Sequence, residues 1–165
     1  MGTATEGKAD RIGGDSLDAK EFLNQVKKLD LQIKNKLIEK QQWKDIALGI
    51  TSNMDGDRVQ SSGRKTKMAD AIDKCVDMEA EIDRLVDKLI DTKKEVIEVI
   101  EQLDSPTQYD VLHMIYIQGK SLQEVADSYG MSYDWATTTH GRALKNVRAI
   151  IERSKHDGKG NEASA

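Results

Sequence analysis

The alternation of apolar and polar residues divides the chain into two long helical stretches followed by three short ones. From Ser16, an N-cap residue type, apolar positions recur at Phe22, Val26, Leu29, Ile33 and Leu37, then at Trp43, Ala47 and Ile50, the three-and-four spacing of one helical face. The polar stretch TSNMDGDRVQSSGRK, residues 51–65, breaks the pattern and is expected to be a loop. A second row then steps by three and four without interruption: Met68, Ala71, Cys75, Met78, Ile82, Leu85, Leu89, Thr92, Val96, Val99, Leu103. This heptad spacing predicts a coiled-coil seam, so residues 16–103 are expected to form a long antiparallel helical hairpin or coiled-coil stalk.

Apolar neighbours of that row, Ile72, Val76, Val86, Ile90, Ile97 and Ile100, widen the stripe beyond what one partner helix covers. Self-association into a homo-oligomer is therefore expected, with Met78, Ile82, Leu85, Leu89, Val96 and Val99 as its seam. The simpler alternative is a hairpin closed within one chain and packed on the terminal domain.

Beyond Leu103 the punctuation changes. Ser105 is placed to cap a helix, Pro106 fits its first position, and Gln108 completes a Ser-x-x-Gln capping box. That helix is expected to bury Tyr109, Leu112, Ile115 and Tyr116 and to stop at Gly119. Ser121 and Glu124 form a second capping box opening a short helix, Leu122 to Tyr129, and Gly130, Met131 and Ser132 make a turn into a third helix from Tyr133. Leu122, Val125 and Ala126 face inward, with Met131, Ala136, Ala143, Leu144 and Val147 continuing the core. The fold expected is thus all-α, with a C-terminal three- to four-helix helix-turn-helix domain over residues 105–153. Residues 1–15 are expected to be disordered or non-native, and residues 156–165 a disordered tail.

Composition agrees with long helices: 33% of residues are charged, 4% are aromatic and there is one Pro. The net charge of -4 excludes coating of nucleic acid by bulk charge, yet the charge is unevenly spread. Arg142, Lys145, Arg148, Arg153 and Lys155 face a single acid, Glu152, in residues 142–155, whereas acids outnumber cations in the second long helix. Cys75 stands alone, and no His/Cys group has zinc-ligand spacing, so a reducing cytoplasm with neither metal nor cofactor is expected. No apolar run approaches the roughly 18 residues of a membrane span. His113, His140 and His156 are scattered, and no Gly-rich phosphate loop or catalytic constellation is present, so no catalytic residue is assigned and the chain is not expected to be an enzyme.

The stretch GKSLQEVADSYGMSYDWATTTHGRALKNVR, Gly119 to Arg148, resembles region 4 of bacterial σ70-type sigma factors through its Gly-Lys-Ser-Leu, Glu-Val-Ala and Ala-Leu elements. With the upstream stalk and its GDRVQSSG loop, Gly56 to Gly63, the chain looks like phage and prophage proteins with sigma-70 region 4-like ends, near the ArpU and RinA late-gene regulators. The resemblance implies a sequence-specific transcription regulator of phage genes in a Gram-positive host, binding double-stranded DNA and acting near host RNA polymerase.

In a helix-turn-helix the N-terminal part of the last helix enters the major groove, which makes Tyr133, Asp134, Thr137, Thr138 and His140 the expected base-facing residues. Ser132, Arg142, Lys145 and Arg148 are the expected phosphate contacts, with a solvated helix face as the alternative. Sigma factors carry Arg where this chain has Tyr133, Trp135 and Thr137, so no guanine-reading fork is available and the target cannot be transferred. Trp135 is expected to pack against the first helix of the domain. Competing functions are a small terminase subunit that recognises phage DNA for packaging, whose DNA-binding part usually comes first, and a coiled-coil adaptor whose terminal domain binds protein.

Overall fold

The computed structural model describes the backbone of residues 10–52 and 61–159 and the side chains of residues 18–49 and 62–156. The described residues are all-helical: α1 (Asp10–Ser52), α2 (Ser61–Ile100), α3 (Pro106–Leu112), α4 (Leu122–Tyr129) and α5 (Tyr133–Lys159). A π-helical turn, His113–Ile117, continues α3. The helices overrun the expected boundaries. Ser16 lies inside α1 rather than capping it, residues 51–52 and 61–65 of the expected loop are helical, and α5 continues past Arg153. No proline interrupts these polar extensions, and Thr66 Oγ donates to the carbonyl of Ser62 within one of them at 3.0 Å. Residues 1–9, 53–60 and 160–165, with the remainder of the expected loop and tails, lie outside the described residues.

The chain divides into two compact units, residues 28–91 and a second unit that joins the chain up to Lys27 to Thr92 and beyond. In the first, α1 and α2 run antiparallel. Lys36 bridges Glu81 at 3.1 Å and Lys40 bridges Glu79 at 3.0 Å, while the Cys75 thiol donates to the carbonyl of Lys40 at 3.8 Å. Exposed pairs of this kind contribute at most about 1 kcal/mol each, so apolar burial dominates. The α2 seam, Ala71, Cys75, Met78, Ile82, Leu85 and Leu89, faces the α1 seam, Leu29, Ile33, Lys36, Lys40, Trp43 and Ala47, and every member is buried or half-buried. Leu37, expected on the buried row, is 49% exposed, because the three-four alternation passes through the neighbouring Lys36.

The residues expected to form the oligomerisation seam lie on the side of α2 that α1 covers. Met78, Ile82 and Val96 are buried within a single chain, and Leu85, Leu89 and Val99 are half-buried. The heptad row is satisfied by the chain's own α1, with the aliphatic stems of Lys36 and Lys40 filling the interval between Ile33 and Trp43.

The second unit packs α3, α4 and α5 together with the first described turns of α1 and the last turns of α2. Its core contains Ala19, Leu23, Val26, Val96 and Ile100 from the long helices, with Val111, Leu112, Ile115, Val125, Ala126, Ala136, Ala143, Leu144, Val147 and Ile150. Ala126, Ala136 and Ala143 are fully buried, and their small side chains let α4 and α5 approach closely. Full burial of each Leu, Val or Ile contributes roughly 1.5–3 kcal/mol, so Leu144, Val147 and Ile150 anchor α5 in this core.

Local signals set the ends. The Ser105 hydroxyl accepts from the Gln108 backbone, but the Gln108 side chain accepts from Asn146 Nδ2 at 2.7 Å, so half of the expected capping box is exchanged for a tie to α5. The Ser121–Glu124 box forms completely: Glu124 Oε2 accepts from the Ser121 backbone at 2.7 Å and from its hydroxyl at 2.8 Å, which holds the carboxyl below its ordinary range. At the end of α4, Gly130 takes the left-handed conformation, φ +61°. A Cβ there meets no neighbour, so only backbone strain opposes substitution. Gly130→Ala is expected to cost about 1–2 kcal/mol in urea unfolding and Gly130→Asn distinctly less, because asparagine tolerates this region.

Candidate nucleic-acid interface

The helix α5 emerges from the turn Gly130–Met131–Ser132 with one face fixed inward by Ala136, Ala143, Leu144 and Val147. The Ser132 hydroxyl accepts from the Trp135 backbone at 3.1 Å and opens the helix. Asp134 in the first turn complements the helix dipole, a structural role it holds whatever it touches outside. Two ties, one aromatic and one polar, then set the angle of this first turn. Trp135 lies against Tyr129 of α4, ring centroids 5.1 Å apart, and the Tyr129 hydroxyl donates to Asp110 of α3 at 2.7 Å. Trp135 thus packs on the second helix of the domain, which in turn is tied to the first.

The exposed residues of α5 form a strip. Asp134, Thr138, Gly141 and Lys145 recur at steps of four, three and four, with Tyr133, Thr137 and Arg142 on its margins, and all seven are exposed. The Thr137 hydroxyl donates to the carbonyl of Tyr133 at 3.0 Å and keeps its lone pairs available as acceptors. Gly141 sits in the middle of a helix with nothing within 4 Å of where a Cβ would be, so neither packing nor turn geometry requires glycine there.

Two expected contacts are placed differently. His140 is turned inward, where Nε2 and the Tyr116 hydroxyl share a hydrogen bond of 2.9 Å and the two rings stack at 5.8 Å. Its step from Ala136 and Ala143 carries it to the border of the core rather than to the strip. Arg148 is half-buried and paired with Glu152, Nε and one terminal nitrogen each 3.0 Å from the same carboxylate oxygen. The freely presented cations of the expected phosphate set are therefore Arg142 and Lys145.

Sequence reasoning missed Met131. Assigned to the core, it is 52% exposed in the turn, beside Tyr133 at 51%, so the head of α5 carries an apolar shoulder. Its position between Gly130 and the N-cap was the available signal, since a turn residue at that point projects away from both helices.

Tyr116, in the π-helical turn, is buried, and burial pushes its hydroxyl up to about 12. Lys27 of α1 lies 5.3 Å from the centre of its ring. Burial, followed by the charges of Lys20 and Lys27, holds the His140 imidazole below its ordinary 6.5. Among the described residues, no group of three or more His, Cys, Asp or Glu is placed to hold a metal, and no helix is long and apolar enough to cross a membrane.

The helices α4 and α5, joined through the Gly130 turn, form a helix, a turn and a helix in succession within an all-helical chain. The chain belongs to a family of proteins of unknown function, DUF1492, whose model matches residues 49–148. No curated protein and no solved structure matches it.

Two outcomes are expected at this site. Because the folded protein holds His140 neutral while the unfolded chain protonates near 6.5, stability is full above that pH and falls as pH drops through the folded value. His140→Gln should flatten the decline in urea midpoints measured from pH 7 to pH 5. Gly141→Ala should raise stability by about 0.5–1 kcal/mol, since it removes a mid-helix glycine without a clash.

Proposed function

We propose that the protein is a sequence-specific, double-stranded DNA-binding transcription regulator of phage or prophage genes, with α5 as its reading helix. The observation that carries the reading is the strip on α5: polar, neutral or acidic groups over its first turns, then Arg142 and Lys145 one to two turns later. Major-groove reading needs side chains that meet base edges at the head of the helix and cations that meet phosphates beside it. Thr137 and Thr138 suit thymine methyls or either base edge, Asp134 accepts from cytosine, and the Met131–Tyr133 shoulder adds apolar contact.

The absence of Arg on the head of α5 leaves out the bidentate guanine contact, worth about 1–3 kcal/mol, so one copy reads DNA with modest specificity. Joining two copies multiplies the contact without new chemistry. Action near RNA polymerase is supported by the sigma-70 region 4 resemblance alone, and the regulator reading is preferred to terminase packaging because the helix-turn-helix lies after the long helices.

The test is selection of bound fragments from sheared genomic DNA by the full chain, followed by fluorescence-anisotropy titration across salt. Arg142→Ala is expected to weaken binding to all sequences alike and to reduce the salt slope by about 1. Thr137→Ala is expected to alter sequence preference with little change in that slope. Equal effects of the two substitutions would refute the assignment of roles, and absence of salt-sensitive binding would favour a protein-binding adaptor.

A further inference from the structure

With the α1 and α2 seams buried against each other, one side of the hairpin within residues 28–91 presents exposed aliphatic residues interleaved with charged ones. The residue that follows each seam position lies about 100° further round its helix. In an antiparallel pair of right-handed helices, that rotation leads to the same side of the hairpin on both. The residues so placed include Leu37 and Leu48 on α1 and Ile72, Val76, Val86 and Ile90 on α2, exposed by 49%, 58%, 44%, 59%, 37% and 47% in the order Leu37, Leu48, Ile72, Val76, Val86, Ile90. The opposite side is more polar: Gln32, Asn35, Lys36, Glu39, Glu81 and Leu85 line a shallow depression there, and Ile46 is an exposed aliphatic residue on that side. Six half-exposed aliphatic side chains on one side expose on the order of a few hundred Å² of apolar surface, the size that marks an interaction site.

The charges on the aliphatic side are unlike on the two helices. The same rotation brings Lys34 and Lys44, with Asp30, to the α1 half, and Glu79 and Asp83 to the α2 half. The Lys36–Glu81 bridge fixes the level of the two helices, which sets Lys34 level with Asp83. We propose that this side of the hairpin docks a second copy of the chain, related by a twofold axis parallel to the helices, so that α1 of each copy covers α2 of the other in a four-helix bundle. That operator meets cation with acid, Lys34 with Asp83 of the second copy, and covers both apolar rows at once. Stacking like helices would instead set the acidic row of α2 against a second acidic row. The interface is isologous and closes at two copies. The proposal stands apart from the DNA reading, because none of these residues is on α5.

Sedimentation equilibrium of the full chain tests it. The expected species has twice the 18.4 kDa chain mass. Val76→Glu and Val86→Glu, both at exposed positions, should each weaken the dimer by more than about tenfold while helical circular dichroism is unchanged. Lys34→Glu should weaken it as well, and adding Asp83→Lys should restore it. A monomeric wild-type chain overturns the proposal. So does a dimer unaffected by the two valine substitutions, or one that the Lys34–Asp83 exchange fails to restore.

Discussion

The inward face of α5 is the constraint on which the rest of the structure depends. A helix presents a defined outer surface only when its opposite face is held, and here Ala136, Ala143, Leu144, Val147 and Ile150 hold it over four turns. Because Ala136 and Ala143 are small, α4 approaches closely enough for Trp135 to reach Tyr129, and Tyr129 extends the contact to Asp110 on α3. Asn146 supplies a second tie through Gln108. Once these are made, the rotation of α5 about its axis is fixed, and with it the outward strip from Asp134 to Lys145.

Much of this was legible in the sequence, for reasons that differ between elements. The caps at Ser121 and Ser132 and the turn at Gly130 rest on local hydrogen bonds and local strain, so each could be read from a few residues. The heptad row of α2 was equally clear, since its periodicity does not depend on what covers it. What covers it did depend on tertiary structure. The α1 seam runs through Lys36 and Lys40, whose charges conceal their packing stems, and Leu37 next to them drew the apolar pattern one residue off. The burial of Ala19 and Leu23 was missed for a similar reason, because the fold assigns the start of α1 to the terminal unit rather than to the stalk.

On α5, periodicity separated the inward face from the outward one but did not place residues at the border. His140 and Arg148 were both read as outward contacts. The hydroxyl of Tyr116 draws the first inward, a partner 24 positions away that no local pattern indicates, and the carboxylate of Glu152 engages the second. Conversely, Met131 was read as core on hydrophobicity alone, although turn residues are held by backbone geometry and leave side chains in solvent. Border positions are where residue type is least informative, because the same side chain satisfies itself against a neighbour or against an external ligand.

Cys75 sits in the middle of the α1–α2 seam, half-buried, with its thiol directed at the carbonyl of Lys40. Since the chain has a single cysteine, the fold carries a built-in chemical reporter. A thiol reagent reaches this sulfur more readily when the two helices part locally, so the labelling rate under native conditions reports on opening of the hairpin at this level. Breathing of the stalk is thereby separable from melting of α3, α4 and α5 in one unmodified protein.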